Sequence, residues 1–259
     1  MRLALMLFWL AFAAHGADQE KDRLVTRGTP TEQLRDLATQ GYAPASWLLW
    51  DRFHRGDEVP QDETQALKWL RLAAEQGNHD AQVRVGIMYQ EGQGVPQDHR
   101  EAARWYRLAA EKGHDLAQFA LGSIYYDGHG VPQDYKEALK WYRLAADQGN
   151  ALAQFNLGLM YNNGQGVPQD YKEAVRLYRL AADQGTAKAQ SNLGAMYADG
   201  KGVPQDAPTA YMWFNIAAAS GDKDAAENRD KITQLMTPSQ IEKGQDMTRA
   251  CIAKSYKGC

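Results

Sequence analysis

The chain is poor in the residues that build sheets and chemical sites. Phenylalanine occurs six times in 259 residues, and isoleucine and valine are sparse beside alanine, leucine, tryptophan and tyrosine. That balance favours helices over strands. No excess of basic charge is present, the formal net charge being -3, so nucleic acid is not an expected partner. The only long apolar run is Leu3 to Ala14, after Met1-Arg2 and before small residues and the polar Asp18-Gln19-Glu20-Lys21. A transmembrane helix needs about 20 apolar residues, and this run is shorter. Its layout is that of a secretory signal peptide. The expectation is a leader at residues 1–16, a mature chain beginning near Ala17, and Ala11-Phe12-Ala13 as a second cleavage site, with no stable membrane insertion. The protein is then periplasmic, or secreted.

Cysteine is confined to Cys251 and Cys259. In an oxidising compartment such a pair forms a disulfide, whereas two free thiols would follow if the leader reading failed. Histidine spacing gives no metal set: His54, His79, His99, His114 and His129 form no His-x-x-x-His pair and none lies beside a cysteine. Neither a Gly-x-Ser-x-Gly elbow nor a phosphate loop is present. No catalytic residue, metal or cofactor is expected, and the protein is not read as an enzyme.

What the sequence does have is a repeat. Val-Pro-Gln-Asp begins at Val59, Val95, Val131, Val167 and Val203, always 36 residues apart. A fixed period of this size means stacked supersecondary units, none able to bury its apolar face alone. After Asp98, the stripe Ala102, Trp105, Tyr106, Ala109 and Ala110 has helical spacing. Asp98 with Glu101, and their counterparts Asp134 with Glu137 and Asp170 with Glu173, predict an N-cap and capping box. Acid–base roles for these carboxylates are disfavoured because the pair recurs at helix starts. A second helix follows Asn78, Asn150 or Thr186 and buries Ala81, Val85, Tyr89 and their equivalents. Gly86, Gly122, Gly158 and Gly194 sit inside it at one register. An interior glycine costs about 1 kcal/mol, which implies close approach of another helix. Helices are therefore predicted near 79–90 and 98–112 and at shifts of 36. Thr237-Pro238-Ser239-Gln240 starts a last helix carrying Ile241, Thr248 and Ile252 on one side.

The pattern Ala-Gln-x-x-Leu-Gly-x-x-Tyr-x-x-Gly-x-Gly-Val-Pro-Gln-Asp-Tyr-x-x-Ala-x-x-Trp-Tyr-x-x-Ala-Ala resembles the Sel-one-like repeat, a relative of the tetratricopeptide repeat. The first unit departs from it, with Trp50 for the helix glycine, Phe53 for the tyrosine and Glu58 for the second turn glycine. The resemblance implies an all-α, right-handed α-solenoid of antiparallel helix pairs. It would span 30–224, with a degenerate half-repeat at 30–41, five repeats at 45–224, and capping helices with a disulfide tail at 225–259. In such solenoids the first helix lines the concave side, so Trp47, Val83, Ile87, Phe119, Tyr126, Phe155 and Leu159 are the expected protein-binding residues. The competing reading packs these aromatics between neighbouring first helices. The resemblance further implies an exported protein that binds another protein in its groove, as an envelope adaptor or assembly factor. An alternative is a periplasmic immunity protein neutralising an antibacterial effector such as a phospholipase. An enzyme acting on cell wall or polysaccharide, and a purely structural spacer, are the other readings.

Overall fold

The computed structural model describes residues 25–259, so the leader expected at 1–16 lies outside the described residues. Thirteen α-helices and no strands are present among them: α1 (Thr31–Thr39), α2 (Ala43–Arg55), α3 (Glu63–Glu75), α4 (His79–Glu91), α5 (His99–Ala110), α6 (Asp115–Asp127), α7 (Tyr135–Asp147), α8 (Ala151–Asn163), α9 (Tyr171–Ala182), α10 (Ala187–Asp199), α11 (Ala207–Ala219), α12 (Lys223–Thr233) and α13 (Pro238–Ala253). They form two compact units, residues 25–112 holding α1–α5 and residues 113–259 holding α6–α13. In each unit the α-solenoid pattern is a pair of helices recurring every 36 residues.

The tetrapeptide joins the two helices of a pair by closing their orphan backbone groups. Gln97 donates its side-chain amide to the Gln90 carbonyl at 2.8 Å, and the Asp98 amide donates to the Tyr89 carbonyl at 2.8 Å. The Asp98 carboxylate then accepts from the Arg100 and Glu101 amides, starting α5. Asp134 and Asp170 do the same for α7 and α9. The expected capping box does not form there, because the Asp amide is already taken by the preceding helix. Glu101, Glu137 and Glu173 pair instead with Arg104, Lys140 and Arg176 three residues on. A full capping box occurs at Thr237 and Gln240, opening α13. Asn78 and Asn150 cap α4 and α8, but Thr186 makes no side-chain cap bond and His114 caps α6 through Nδ1.

The core is made largely of alanine and aromatic side chains. Ala102, Tyr106, Ala109 and Ala110 are buried, as are Ala138, Trp141, Tyr142 and Ala145. Trp105 departs from its stripe and stays half-exposed. The helix glycines are sites of contact: a Cβ built on Gly86 would stand 2.6 Å from the Tyr106 ring, and on Gly122 2.6 Å from the Tyr142 ring. The first pair solves the same steric problem in reverse. Trp50 fills the glycine position, and the facing residue shrinks to Leu70 where later pairs hold Tyr106, Tyr142 and Tyr178.

A glutamine ladder, unforeseen in the sequence reading, stitches pair to pair. Gln154 is buried and donates to the Ala146 carbonyl at 3.2 Å, while Gln184 donates to the Gln154 side-chain oxygen at 2.8 Å. Gln148 reaches Gln118 in the same way. Where Lys112 and Ser220 replace that outer glutamine, the side-chain oxygens of Gln82 and Gln190 have no partner.

At the C-terminal end, α13 buries Gly244, Thr248 and Cys251, and Ile252 is exposed rather than lying on the packed side. Cys251 and Cys259 are bonded, with Cα atoms 5.6 Å apart. The closed loop lays Tyr256 near Gly185, against the cluster around Ala181, Ala182 and Met212. Reducing this bond is expected to lower the stability of the 113–259 unit by about 2–3 kcal/mol, the scale for a short loop. Urea unfolding with and without reductant measures it, and coincident curves would show that Tyr256 docks without the bond.

Candidate protein-binding surface

The helix interior glycine decides which way each pair faces. It admits the ring of the second helix, and neighbouring positions of the first helix border that ring. On α6 these are Phe119, Ser123 and Tyr126, and on α8 Phe155, Leu159 and Asn162, all half-buried. Phe119 rests on Tyr142 with ring centroids 5.9 Å apart, and Phe155 on Tyr178 at 6.0 Å. Tyr126 meets Tyr135 edge-on at 5.4 Å and donates its hydroxyl to Gln165 at 3.0 Å. Each aromatic is thus held from beneath and partly open above, between the packing and binding readings.

Beneath them runs a polar line. The Tyr142 hydroxyl donates to Ser123 at 3.0 Å and accepts from the Asn156 amide at 3.2 Å. Burial pushes the phenols of Tyr142 and Tyr178 up to about 12, so both stay neutral at any physiological pH. On α10 the register holds Ser191, Ala195 and Ala198. Loss of bulk there opens a cavity of about 450 Å³, floored by Phe214 and walled by Ala195, Ala198, Ile232 and the protruding Leu235.

In residues 25–112 the same face is different. Trp47 is half-buried against Trp50, with centroids 4.3 Å apart, and Ile87 is 37% exposed. Val83 is buried at 8%, so it packs and offers no binding area. Around it lie groups that the sequence reading passed over: Arg84 above the Trp50 ring at 4.5 Å, His54 stacked on Trp50 at 5.4 Å, and Glu63 3.0 Å from His54 Nδ1. Their signal was available, since Arg84 stands where later repeats hold Ala120, Asn156 and Asn192. Among the described residues, no three His, Cys, Asp or Glu side chains gather to hold a metal, and no helix is long and apolar enough to cross a membrane.

The comparisons agree with this architecture. No curated protein matches the chain. A protective antigen present in uropathogenic Escherichia coli, displaying an SLR fold, is 37% identical over 87% of this chain with a TM-score of 0.74. The chain spans about half of that antigen, 48% of its length. A Sel1 repeat protein from Oxalobacter formigenes is 32% identical, with a TM-score of 0.69, covering 94% of this chain and 93% of its own. Sel1 repeat proteins generally mediate protein–protein interaction and are typically non-catalytic scaffolds. The Sel1 repeat matches residues 51–78, 79–114, 115–150, 151–186 and 187–222, and the chain belongs to the Sel1 repeat family.

Proposed function

We propose that this chain is an exported protein-binding scaffold that takes a protein partner on the outward face of its first helices. One observation carries the reading: Phe119 and Phe155 repeat at one register, backed by buried tyrosines and open on the other side. Rigid aromatics seated on a packed floor make good anchors, because little side-chain freedom is lost on binding. Tyr126 and Leu159 extend the face within residues 113–259, and Trp47 and Ile87 lie at the equivalent register of residues 25–112. Export is supported by the Leu3–Ala14 run and by the Cys251–Cys259 bond, which suits an oxidising compartment.

The test combines capture and substitution. A partner cross-linked in the envelope fraction and purified should lose affinity about tenfold or more with Phe119→Ala or Phe155→Ala, the scale of an interface anchor. Stability should fall by less than the roughly 3–5 kcal/mol of a fully buried phenylalanine. Unchanged affinity with a full core-sized loss of stability would make these residues packing alone. Intact mass of the envelope-purified chain reads export: retention of residues 1–16 would defeat it.

A further inference from the structure

The strongest unassigned feature is a cavity of about 310 Å³ in residues 25–112, whose lining includes Trp50, His54, Glu63, Leu67, Leu70, Arg84 and Met88. It exists because the first pair breaks the repeat rule. Trp50 replaces the glycine and Leu70 replaces the tyrosine, so the aromatic surface moves from the second helix to the first. Arg84 is the other departure: its register holds Leu48, Ala120, Asn156 and Asn192 in the other repeats.

Arg84 and Glu63 face different neighbours in the cavity. Glu63 is occupied, its carboxylate lying 3.0 and 3.2 Å from His54 Nδ1 and 3.5 Å from the Gln61 amide. Arg84 is exposed and lies over Trp50, and no carboxylate among the described residues is within ion-pair distance of it. A guanidinium fixed by stacking keeps its donor edge free, in the fork geometry that fits a carboxylate. Leu67, Leu70 and Met88 give the same cavity an apolar wall, with Gln93 a further polar side chain in its lining. An occupant must therefore present a carboxylate and an aliphatic side chain within one residue's reach.

We infer that this cavity is a docking site for the C-terminus of a protein partner ending in an apolar residue. The α-carboxylate pairs with Arg84 and the last side chain enters between Leu70 and Met88. The inference rests on the protein-binding reading and specifies the chemistry of one end of the partner. Binding is sequence-tolerant upstream, because only the final residue enters the cavity.

Three small probes test it on the full chain by 1H–15N NMR, watching the Trp50 indole N–H and the Arg84 side-chain N–H. N-acetyl-leucine is expected to shift both signals. N-acetyl-leucinamide, lacking the charge, should bind about tenfold more weakly. Arg84→Met keeps the apolar stem of an exposed side chain, and should abolish the difference between the two probes while leaving the rest of the spectrum in place. Equal binding of acid and amide, silence of the Trp50 and Arg84 signals, or an unaltered preference in Arg84→Met overturns the inference. N-acetyl-aspartyl amide, whose only carboxylate is on its side chain, is the third probe. If it binds as tightly as N-acetyl-leucine, the site reads an acidic side chain and the chain-terminus assignment falls. Failure here is separable from failure of the protein-binding reading, which is scored on Phe119 and Phe155.

Discussion

Gly122→Val is expected to destabilise residues 113–259 by about 3 kcal/mol, although glycine is the poorer helix former. The new Cβ would stand 2.6 Å from the Tyr142 ring, inside any tolerable contact. The ring has no easy retreat. It is 1% exposed, and its hydroxyl is bonded to Ser123 and Asn156 on two successive first helices. Moving it breaks those bonds, worth about 1 kcal/mol each, on top of the overpacking. Helix propensity returns only a few tenths of a kcal/mol. The partner change that should rescue it is written in the same chain, where Trp50 faces Leu70. Tyr142→Leu in the Gly122→Val background should therefore cost less than the two single changes added together. Urea unfolding followed by circular dichroism measures all three variants. A single-variant loss under about 1 kcal/mol, or strict additivity, would show that the glycine is there for another reason.

Most of the fold was legible because the repeat states it five times. The 36-residue spacing placed the helix pairs, and the four glycines at one register told of a close approach that three tyrosine rings and the Phe214 ring supply. The capping-box expectation failed at Glu101 for a reason no local rule contains. The Asp98 amide it needed is consumed by the Tyr89 carbonyl of the preceding helix, a tertiary contact across the tetrapeptide. The binding face was legible only as a register. Periodicity says that Val83 and Phe119 occupy equivalent positions, but exposure depends on side-chain length and on the residue beneath. Val83 is short and sinks to 8% exposure, while Phe119 rides on Tyr142. The buried glutamines were visible in four of the five units as Ala-Gln, yet a polar residue beside a buried alanine reads as surface until its carbonyl partner is known.

Arg52→Met is expected to cost about 3–5 kcal/mol and to release the segment before α1, the largest effect of any single charged residue here. Arg52 lies on α2 and is only 3% exposed. Its guanidinium donates to the Arg27 carbonyl at 2.6 Å, the Thr29 carbonyl at 2.7 Å and the Thr31 hydroxyl at 2.8 Å, and pairs with Glu58 at 3.0 Å. Bonds from a charged donor are worth about 1.5–3 kcal/mol each, and methionine removes the donor that reaches the buried Thr29 carbonyl. Glu58 explains its own departure from the repeat. It holds φ at 59°, where the later units use Gly94, Gly130, Gly166 and Gly202, at a cost on the order of 1 kcal/mol, and it answers the arginine charge. The two residues separate cleanly by substitution. Glu58→Gly removes the ion pair but also relieves the backbone, so its net effect should lie within about 1 kcal/mol of zero, since Glu58 is half-exposed and Arg52 keeps its three oxygen contacts. Limited proteolysis near residues 27–35, alongside thermal melting, distinguishes the variants: Arg52→Met should be cut rapidly and Glu58→Gly should not. If both are cut alike, the ion pair holds the segment and the three oxygen contacts are secondary. If neither is cut, α1 is held by Leu34, Leu37 and Ala38 in the core without help from the arginine.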